Sequence, residues 1–222
     1  LSLEYYFDKS GLVTAGVFEK DISNFFESRS GTVDAALANT LGLGPEFIGW
    51  GVSTTVNGSG TATINGYELS IKHDLGFIPG IGRYLSINAN GTHLSLNGPN
   101  VSAFANFIPE TANLGFSWNK KPVSAKLNFN YRGRQLRSAQ TGAQYGATNS
   151  FYEYYAPRMN VDVNVEYTLT KRFVLFANAR NIFNKPQVLQ RYSNDAGSAR
   201  YAVNYQQEEF GIQIAAGLKG TF

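Results

Sequence analysis

Apolar and polar side chains alternate along several segments of this chain. From Met159 to Leu169 the odd-numbered residues are apolar or aromatic, and the even-numbered ones are Asn, Asp, Glu or Thr. The segments from Val123 to Arg134 and from Phe210 to Phe222 follow a similar alternation. Successive side chains of a β-strand point to opposite faces, so this pattern predicts strands with one apolar and one polar face.

Two other segments depart from strict alternation. Between Thr61 and Lys72 the apolar positions change from even to odd numbers, which predicts a β-bulge near Gly66. The segment from Leu12 to Lys20 alternates poorly. Further alternating segments lie near 84–94 and 111–119. The pattern therefore predicts roughly nine antiparallel strands in meander order, with lengths that suit the membrane-spanning strands of a β-barrel.

Short and long connections alternate between these strands. Short links are predicted near Asp8, Gly76, Asn119 and Leu169, and longer ones at about 27–60, 97–106, 138–156 and 185–205. Outer-membrane barrels have short periplasmic turns and longer extracellular loops. The sequence therefore predicts the bacterial outer membrane as the location, with the C-terminus in the periplasm.

Aromatic residues support this orientation, because the girdles of a barrel lie at the ends of its strands. The aromatic residues expected at the periplasmic end are Phe7, Tyr84, Trp118, Tyr167, Phe173 and Phe222, and those expected toward the opposite rim are Phe107, Tyr131, Phe183 and Phe210. Aromatics that fill the core of a β-sandwich are the alternative, but they need no such placement at strand ends.

The predicted strand number is odd, whereas bacterial single-chain barrels close with an even number. The chain also opens directly into a strand-like segment, Ser2 to Phe7, without a signal-peptide pattern. We therefore expect residues 1–222 to be the C-terminal portion of a larger barrel, an open all-β, up-and-down transmembrane segment whose N-terminal strands lie upstream.

Composition and charge remove several other classes of protein. No window holds the roughly 18 consecutive apolar residues of a membrane helix, although the mean hydropathy of −0.22 does not exclude a barrel. The net charge of +3 is too small and scattered to indicate a nucleic-acid partner. The chain has 0 Cys, so disulfides and thiolate metal sites are excluded.

Several stretches resemble the C-terminal half of TonB-dependent receptors, the large outer-membrane transporters of Gram-negative bacteria. The strongest is FVLFANARNIFNKP (Phe173 to Pro186), which resembles the penultimate strand of the family and its Asn-aliphatic-Phe signature. Supporting stretches follow in the order of the family: GTATINGYELSIKHDL, LSINANGTHLSL, FIPETANLGFSWN, LNFNYRGRQ and EEFGIQIAAGLKGTF. They cover most of the chain after about Gly60.

The resemblance implies a function and a set of partners. A complete receptor would have a 22-stranded barrel with an N-terminal plug, and TonB would couple import of a ferric siderophore, cobalamin or glycan to the proton gradient. We expect the plug and the TonB-contacting motif to lie outside residues 1–222. The other expected partners are outer-membrane lipid, lipopolysaccharide and the barrel-assembly machinery.

The last strand resembles the signal that the assembly machinery recognises, a terminal aromatic preceded by alternating apolar residues. The residues expected to form this assembly signal are Phe210, Ile212, Ile214, Leu218 and Phe222. Gly220 departs from the aromatic that the family often has two places before the end.

Polar residues whose parity points to the barrel interior, arginines at the upper end of one strand and tyrosines of the third long connection form the candidate ligand site. The candidate residues are Arg132, Arg134, Arg137, Asn178, Arg180, Tyr152, Tyr154 and Tyr155. Arginine suits an anionic ligand because its forked donors match carboxylate and phosphate, and tyrosine rings stack on sugars or aromatic chelates. Two other interpretations remain open: the charges pair across strands and with the plug, and the tyrosines belong to the outer girdle.

The sequence gives little support for catalysis or for a bound cofactor. His73 and His93 are the only histidines, and neither lies in a triad pattern or a metal-binding pattern. His73 is expected near a turn, and His93 at the rim. We therefore predict a receptor without enzymatic activity, metal or cofactor. The alternatives are a self-contained smaller barrel acting as passive pore or adhesin and, less favoured, an outer-membrane hydrolase.

Overall fold

The computed structural model describes residues 1–7, 10–98, 104, 106–140, 151–193 and 203–221. The strands are β1 (Ser2–Phe7), β2 (Gly11–Ser23), β3 (Phe26–Thr32), β4 (Gly51–Asn57), β5 (Thr61–Asp74), β6 (Leu85–Asn97), β7 (Glu110–Lys120), β8 (Val123–Arg132), β9 (Gln135–Gln140), β10 (Phe151–Tyr155), β11 (Arg158–Thr168), β12 (Phe173–Arg180), β13 (Gln187–Ser193), β14 (Val203–Glu208) and β15 (Gln213–Gly220). The helix α1 spans Ala35–Leu41, and 3₁₀ helices span Pro45–Phe47 and Gly82–Tyr84. The chain forms two compact units, residues 1–19, 65–95 and 105–222, and residues 20–64 and 96–104.

Nine strands form one sheet in the order β1-β2-β5-β6-β7-β8-β11-β12-β15. Neighbouring strands run antiparallel, and each strand pairs with the next membrane-length segment along the chain. Within the described residues, β1 and β15 each have one neighbour, so the sheet is open. These findings confirm the predicted antiparallel meander, and β2 is a strand despite its poor alternation.

The register matches apolar residues with apolar residues across neighbouring strands. One cross-strand row joins Phe116 to Leu127, Leu127 to Val163, Val163 to Ala179, and Ala179 to Ile214. Because side chains directly opposite each other are in contact distance, such rows stabilise the pairing and fix the register. The sheet therefore has the continuous apolar face that the alternation predicted.

The opposite face carries a row of asparagines. Asn90, Asn113, Asn130 and Asn160 lie opposite one another in successive strands from β6 to β11. The Asn113 amide Nδ2 donates to Asn90 Oδ1 at 2.9 Å, and Asn130 Nδ2 donates to Asp162 Oδ2 at 3.2 Å. This face is polar over its central part, as expected for the interior of a barrel.

Short turns lie together at one end of the sheet. The turn after β7 adjoins the end of β11, because the Thr168 amide donates to the carbonyl of Pro122 at 2.8 Å. The rings of Tyr84 and Trp118 lie 5.6 Å apart, and Lys120 Nζ lies 5.1 Å from the centre of the Tyr84 ring. Aromatic and basic residues therefore meet at this end, as in a membrane-interface girdle. Residues 8 and 9 of the predicted first turn lie outside the described part of the chain.

Two of the long connections carry a second sheet of their own. Strands β9 and β10 follow β8, strands β13 and β14 follow β12, and the four pair in the order β14-β13-β10-β9. We name this the loop sheet. The sequence pattern identified these segments only as long connections and did not predict their strands. The alternation of polar and apolar residues is too short to distinguish a strand from a loop in Phe151–Tyr155 and in Gln187–Ser193.

The second unit contains a β-ribbon and short helices. Strands β3 and β4 pair from Phe26 with Asn57 to Thr32 with Gly51. The helix α1 begins after Asp34, whose Oδ1 accepts a hydrogen bond from the Leu37 amide at 2.7 Å. An N-cap of this kind satisfies an amide that has no partner inside the helix. The predicted connection at 27–60 is thus also folded.

One predicted lipid-facing residue is buried. The residues expected to meet lipid were Val161, Val163, Val165, Leu127, Phe129, Ile212 and Ile214. Ile214 is 72% exposed, but only 2% of Val161 is exposed. The chain passes beside Val161 after β12, because the Ile182 amide donates to the Val161 carbonyl at 3.0 Å. The prediction for Val161 is therefore wrong.

Candidate ligand-binding site

Backbone and amide contacts join the loop sheet to the connection after β6. The amide of Asn106 donates to the carbonyl of Leu136 at 2.8 Å, and Gln135 Nε2 donates to the carbonyl of Asn106 at 2.7 Å. Gln135 is only 3% exposed. On the other side, the Ala156 amide donates to the Val188 carbonyl at 2.9 Å. These buried contacts hold the connections after β6, β8 and β12 together.

A buried carboxylate lies at the centre of the loop sheet. Glu153 is 4% exposed, and its Oε1 accepts hydrogen bonds from Arg191 Nε at 3.0 Å and Nη2 at 2.9 Å. Its Oε2 accepts from Arg137 Nη1 at 3.2 Å and from Ser138 Oγ at 3.1 Å. A buried charge is tolerated only when it is paired and hydrogen-bonded, and Glu153 meets both conditions.

This carboxylate changes the role of one predicted ligand-binding residue. Arg137 was expected to admit an anion, but its guanidinium is already engaged by Glu153. Arg191 reaches the same carboxylate from β13, and its Cζ lies 3.2 Å from the centre of the Tyr205 ring. Glu153 therefore joins the two long connections, one after β8 and one after β12.

The opposite face of β10 carries a cluster of tyrosines around one arginine. The Arg134 Cζ lies 4.6 Å from the ring centre of Tyr154 and 5.2 Å from that of Tyr192. Tyr154 and Tyr192 meet edge to face with ring centres 5.3 Å apart, and Tyr152 lies 6.5 Å from Tyr154. We name Arg134, Tyr152, Tyr154 and Tyr192 the arginine–tyrosine cluster.

The chemistry of this cluster suits a planar or anionic ligand. Contact between a guanidinium and an aromatic ring face is attractive and holds the side chain in place. Arg134 is exposed, whereas the three tyrosines are half-buried. A guanidinium has N–H donors along its edge, and these match a carboxylate, phosphate or phenolate oxygen.

Tyr155 does not belong to the arginine–tyrosine cluster. It follows Tyr154 in β10, so its side chain points to the face that carries Glu153. Its cross-strand partners are Gln135 and Leu189, which are both buried. Tyr155 was expected to contact ligand together with Tyr152 and Tyr154, but the structure separates it from them.

The remaining predicted ligand-binding residues lie in the nine-stranded sheet. Arg132 ends β8 opposite Thr111 and Arg158, Asn178 lies opposite Asn164 and Ala215, and Arg180 lies opposite Gln213. The structure therefore divides the predicted site into three groups: these inner-face residues, the arginine–tyrosine cluster, and the Glu153 side with Arg137 and Tyr155.

Part of the inner-face charge is paired within the sheet. Lys219 donates to Glu166 across β12, and Asp162 Oδ1 accepts a hydrogen bond from the Asn181 amide at 2.9 Å. Both contacts agree with the interpretation that inner-face charges pair across strands. They supply the polar groups that a wet or plug-filled interior requires.

Sequence reasoning missed the contribution of β13. Arg191 and Tyr192 supply one partner to each face of β10, but both lie in a segment predicted to be a connection. The sequence offered one signal, because Arg191 and Tyr192 are a charged and an aromatic residue in successive positions. In an alternating strand they face opposite sides, where they match Glu153 and Tyr152 of β10. Their sequence separation from β10, 38 residues for the Glu153–Arg191 pair, hid the match.

The predicted assembly-signal residues are exposed at the C-terminal edge of the sheet. The exposed fractions are 67% for Phe210, 48% for Ile212, 72% for Ile214 and 56% for Leu218. Strand β15 pairs with β12. Phe222 lies outside the described residues, and recognition by the assembly machinery stays a prediction.

The rings of the two histidines lie against aromatic side chains. The His73 ring lies 4.7 Å from Phe7 and 5.6 Å from Phe77, near the short turn after β5. His93 lies near the opposite end of β6, stacked on Tyr67 at 5.2 Å.

Within the described ranges, no group of three or more His, Cys, Asp and Glu residues could hold a metal ion. The helices of the same ranges are all too short or too polar to cross a membrane.

Comparisons with known proteins agree with this architecture. The family model described as TonB dependent receptor-like, beta-barrel, matches residues 1–182. It thus includes the first sixty residues, where the sequence resemblance was weakest, and ends within the Phe173 to Pro186 signature. No curated protein matches the chain.

One solved structure has a similar fold. It is FpvA of P. aeruginosa in a complex with a heterologous pyoverdine and iron, with a TM-score of 0.54 and 12% identity. The match covers 99% of this chain and 32% of that one, so the chain spans about a third of the length of FpvA. The similarity concerns the fold alone.

Proposed function

Because the chain belongs to the TonB dependent receptor-like β-barrel family, we propose that it forms the C-terminal portion of a bacterial outer-membrane receptor. The receptor imports a scarce substrate, and TonB supplies the energy through a plug region outside residues 1–222. The C-terminus faces the periplasm, so the short turns lie on the periplasmic side and the loop sheet lies on the extracellular side.

The arginine–tyrosine cluster is the proposed ligand contact of this chain. The observation that carries the proposal is the position of Arg134, which is exposed and lies against the rings of Tyr154 and Tyr192. Its charge is not engaged by Glu153, which pairs with Arg137 and Arg191 on the opposite face. Arg134 therefore presents a positioned cation on the extracellular loop sheet.

We propose that the ligand is anionic and contains a planar ring, as a ferric siderophore does. Phenolate, hydroxamate and carboxylate oxygens accept from the edge of a guanidinium, and aromatic groups stack on tyrosine faces. The iron-bound pyoverdine in the FpvA structure supports this class. Cobalamin and glycans are the other ligand classes, and both depend less on a cation.

A binding experiment tests the proposal. The complete receptor is purified and titrated with a panel of ferric siderophores, cobalamin and oligosaccharides at low and moderate ionic strength. We expect saturable binding of an anionic ferric siderophore that weakens as salt increases. Binding of cobalamin or a glycan, without salt dependence, would contradict the proposed ligand class. Arg172→Ala, at an exposed turn on the opposite end of the sheet, is the control variant for Arg134→Ala.

A further inference from the structure

Two arginines lie directly opposite each other on the polar face of the nine-stranded sheet. Arg132 is the last residue of β8, Arg158 is the first residue of β11, and the two are cross-strand partners. Asn130 and Asn160 form the next pair on the same face. Side chains of directly opposed residues lie within contact distance of each other. We name Arg132 and Arg158 the arginine pair.

The ends of the strands define where the arginine pair lies. Val123, at the other end of β8, adjoins the short turn after β7, so the pair lies at the end that carries the long connections. Arg158 Nη1 donates to Oε1 of Gln187, the first residue of β13, at 3.4 Å. The pair therefore lies where the polar face of the larger sheet meets the loop sheet.

The charge of the arginine pair is not neutralised by the described part of the chain, where neither guanidinium forms a salt bridge. Asp162, four positions from Arg158 along β11, accepts hydrogen bonds from Asn130 Nδ2 and from the Asn181 amide instead. Like charges directly opposite each other are destabilising. Because both arginines are half-buried, water screens their repulsion only in part. An anion between the two guanidinium groups would remove this repulsion.

A buried hydrogen-bond acceptor lies next to the arginine pair. Asn160 follows Arg158 by two residues on the same face, and its Oδ1 is buried and accepts no hydrogen bond from the described residues. Its cross-strand partner Asn130 donates to Asp162. A buried acceptor without a donor costs free energy, so a ligand at this position gains by offering an O–H group.

We propose that the arginine pair and Asn160 bind a small oxyanion that carries a hydroxyl group, a class that includes hydroxycarboxylates and hydrogen phosphate. The guanidinium groups donate to the anionic oxygens, and the ligand hydroxyl donates to Asn160 Oδ1. This site is additional to the ligand contact proposed at Arg134. It rests on the proposed function only in that the polar face lines the interior of a receptor barrel.

Calorimetric titration of the purified complete receptor with two matched pairs of anions tests the ligand class. Malate and hydrogen phosphate offer a hydroxyl group, whereas succinate and sulfate are anions of similar shape without one. We expect saturable binding of malate or of hydrogen phosphate, and about fivefold weaker binding of the matched anion that lacks the hydroxyl. The pair that binds identifies the oxyanion as a carboxylate or a phosphate. Absence of binding by malate and by hydrogen phosphate, or equal binding within each pair, would overturn the proposal.

Substitution of one arginine tests where the anion binds. We expect Arg158→Gln to weaken binding about tenfold, because a charge-assisted hydrogen bond is lost. Arg83→Gln, at an exposed position beside the short turn after β5, is the matched control and should bind as the wild type does. Arg132→Gln takes the place of Arg158→Gln if that variant fails to assemble. Equal binding by the wild type and either pair variant would overturn the site.

Thermal unfolding separates a small anion from a carboxylate of the plug region. In buffer without oxyanions, Arg158→Gln should unfold at or above the temperature of the wild type, because it removes the repulsion between like charges. Added malate or hydrogen phosphate should raise the unfolding temperature of the wild type and not that of Arg158→Gln. If Arg158→Gln unfolds at a lower temperature without added anion, a carboxylate of the receptor already occupies the pair, and the proposal is wrong.

Binding of a ferric siderophore by Arg158→Gln is measured in the same preparation. It should remain at the level of the wild type, because the proposed siderophore contact is Arg134. Siderophore binding without binding of malate or hydrogen phosphate would refute the oxyanion site alone. Binding of malate or hydrogen phosphate without siderophore binding would refute the proposed ligand class alone, so the two failures are distinguishable.

Discussion

Arg191 donates two hydrogen bonds to one oxygen of Glu153, from Nε at 3.0 Å and from Nη2 at 2.9 Å. The pair joins β10 to β13 and thus the connection after β8 to the connection after β12. Because Glu153 is 4% exposed, the pair lies largely away from water. The arginine–tyrosine cluster lies on the other face of β10, so we expect its position to depend on this contact.

Removing the carboxylate should loosen the loop sheet. We predict that Glu153→Leu costs about 3 kcal/mol in local stability, since it leaves two guanidinium groups without their buried partner. Hydrogen exchange of the amides in β10 and β13 measures this opening. Glu209→Gln, at an exposed carboxylate after β14, is the control and should exchange as the wild type does. Unchanged exchange in Glu153→Leu would mean that backbone pairing alone holds the loop sheet.

Gly66 should not tolerate a side chain. A Cβ at Gly66 would overlap the backbone carbonyl oxygen of His93 and lie 2.8 Å from Leu94 Cδ2. Backbone atoms of a paired strand cannot move aside, so we predict that Gly66→Ala destabilises the barrel by about 1–3 kcal/mol. The matched variant Gly91→Ala should be nearly neutral. Urea unfolding of the receptor in lipid vesicles compares the two, and equal stabilities would contradict the close approach at Gly66.

The two opposite faces of the sheet should respond differently to charge. Val163 lies in the apolar cross-strand row, whereas Asn128 lies on the polar face opposite Asp162. We predict that Val163→Arg costs about 2–4 kcal/mol and lowers the amount of heat-modifiable barrel in the outer membrane. Asn128→Arg should assemble normally, since it adds a cation beside an acid in the wet interior. Normal assembly of Val163→Arg would overturn the assignment of the lipid-facing side.

Arg134 should affect binding without affecting assembly. We predict that Arg134→Ala weakens binding of an anionic ferric siderophore about tenfold and flattens its salt dependence, because a charge-assisted hydrogen bond is lost. Arg172→Ala, at an exposed turn on the opposite end of the sheet, is the comparison and should bind as the wild type does. Equal binding by Arg134→Ala and wild type across salt concentrations would remove Arg134 from the ligand site.

Long-range alternation made the nine-stranded sheet predictable. A strand between lipid and a polar interior must sort its residues strictly, so segments such as β11 have a clear period of two over 11 residues. The loop sheet lacks this constraint. Its register shifts between Glu153 and Tyr154 and between Leu189 and Gln190, and such irregularities remove a simple period.

The candidate site was only partly predictable for the same reason. The sequence identified Arg134, Tyr152 and Tyr154, because arginine and tyrosine in a long connection suit ligand contact. It did not separate Arg137 from Arg134, although the two side chains have different partners. That separation depends on the pairing of β10 with two other strands, which is a tertiary property and is not encoded in local spacing.

Energy-coupled uptake is the most direct measurement of the proposed function. Cells that lack the receptor gene are complemented with the complete receptor, and uptake of an iron-55-labelled ferric siderophore is followed with and without a functional TonB. We predict uptake that requires both the receptor and TonB and falls about tenfold in Arg134→Ala at subsaturating ligand, matching the loss of binding. Uptake that continues without TonB would contradict the account, because it would make the barrel a passive pore.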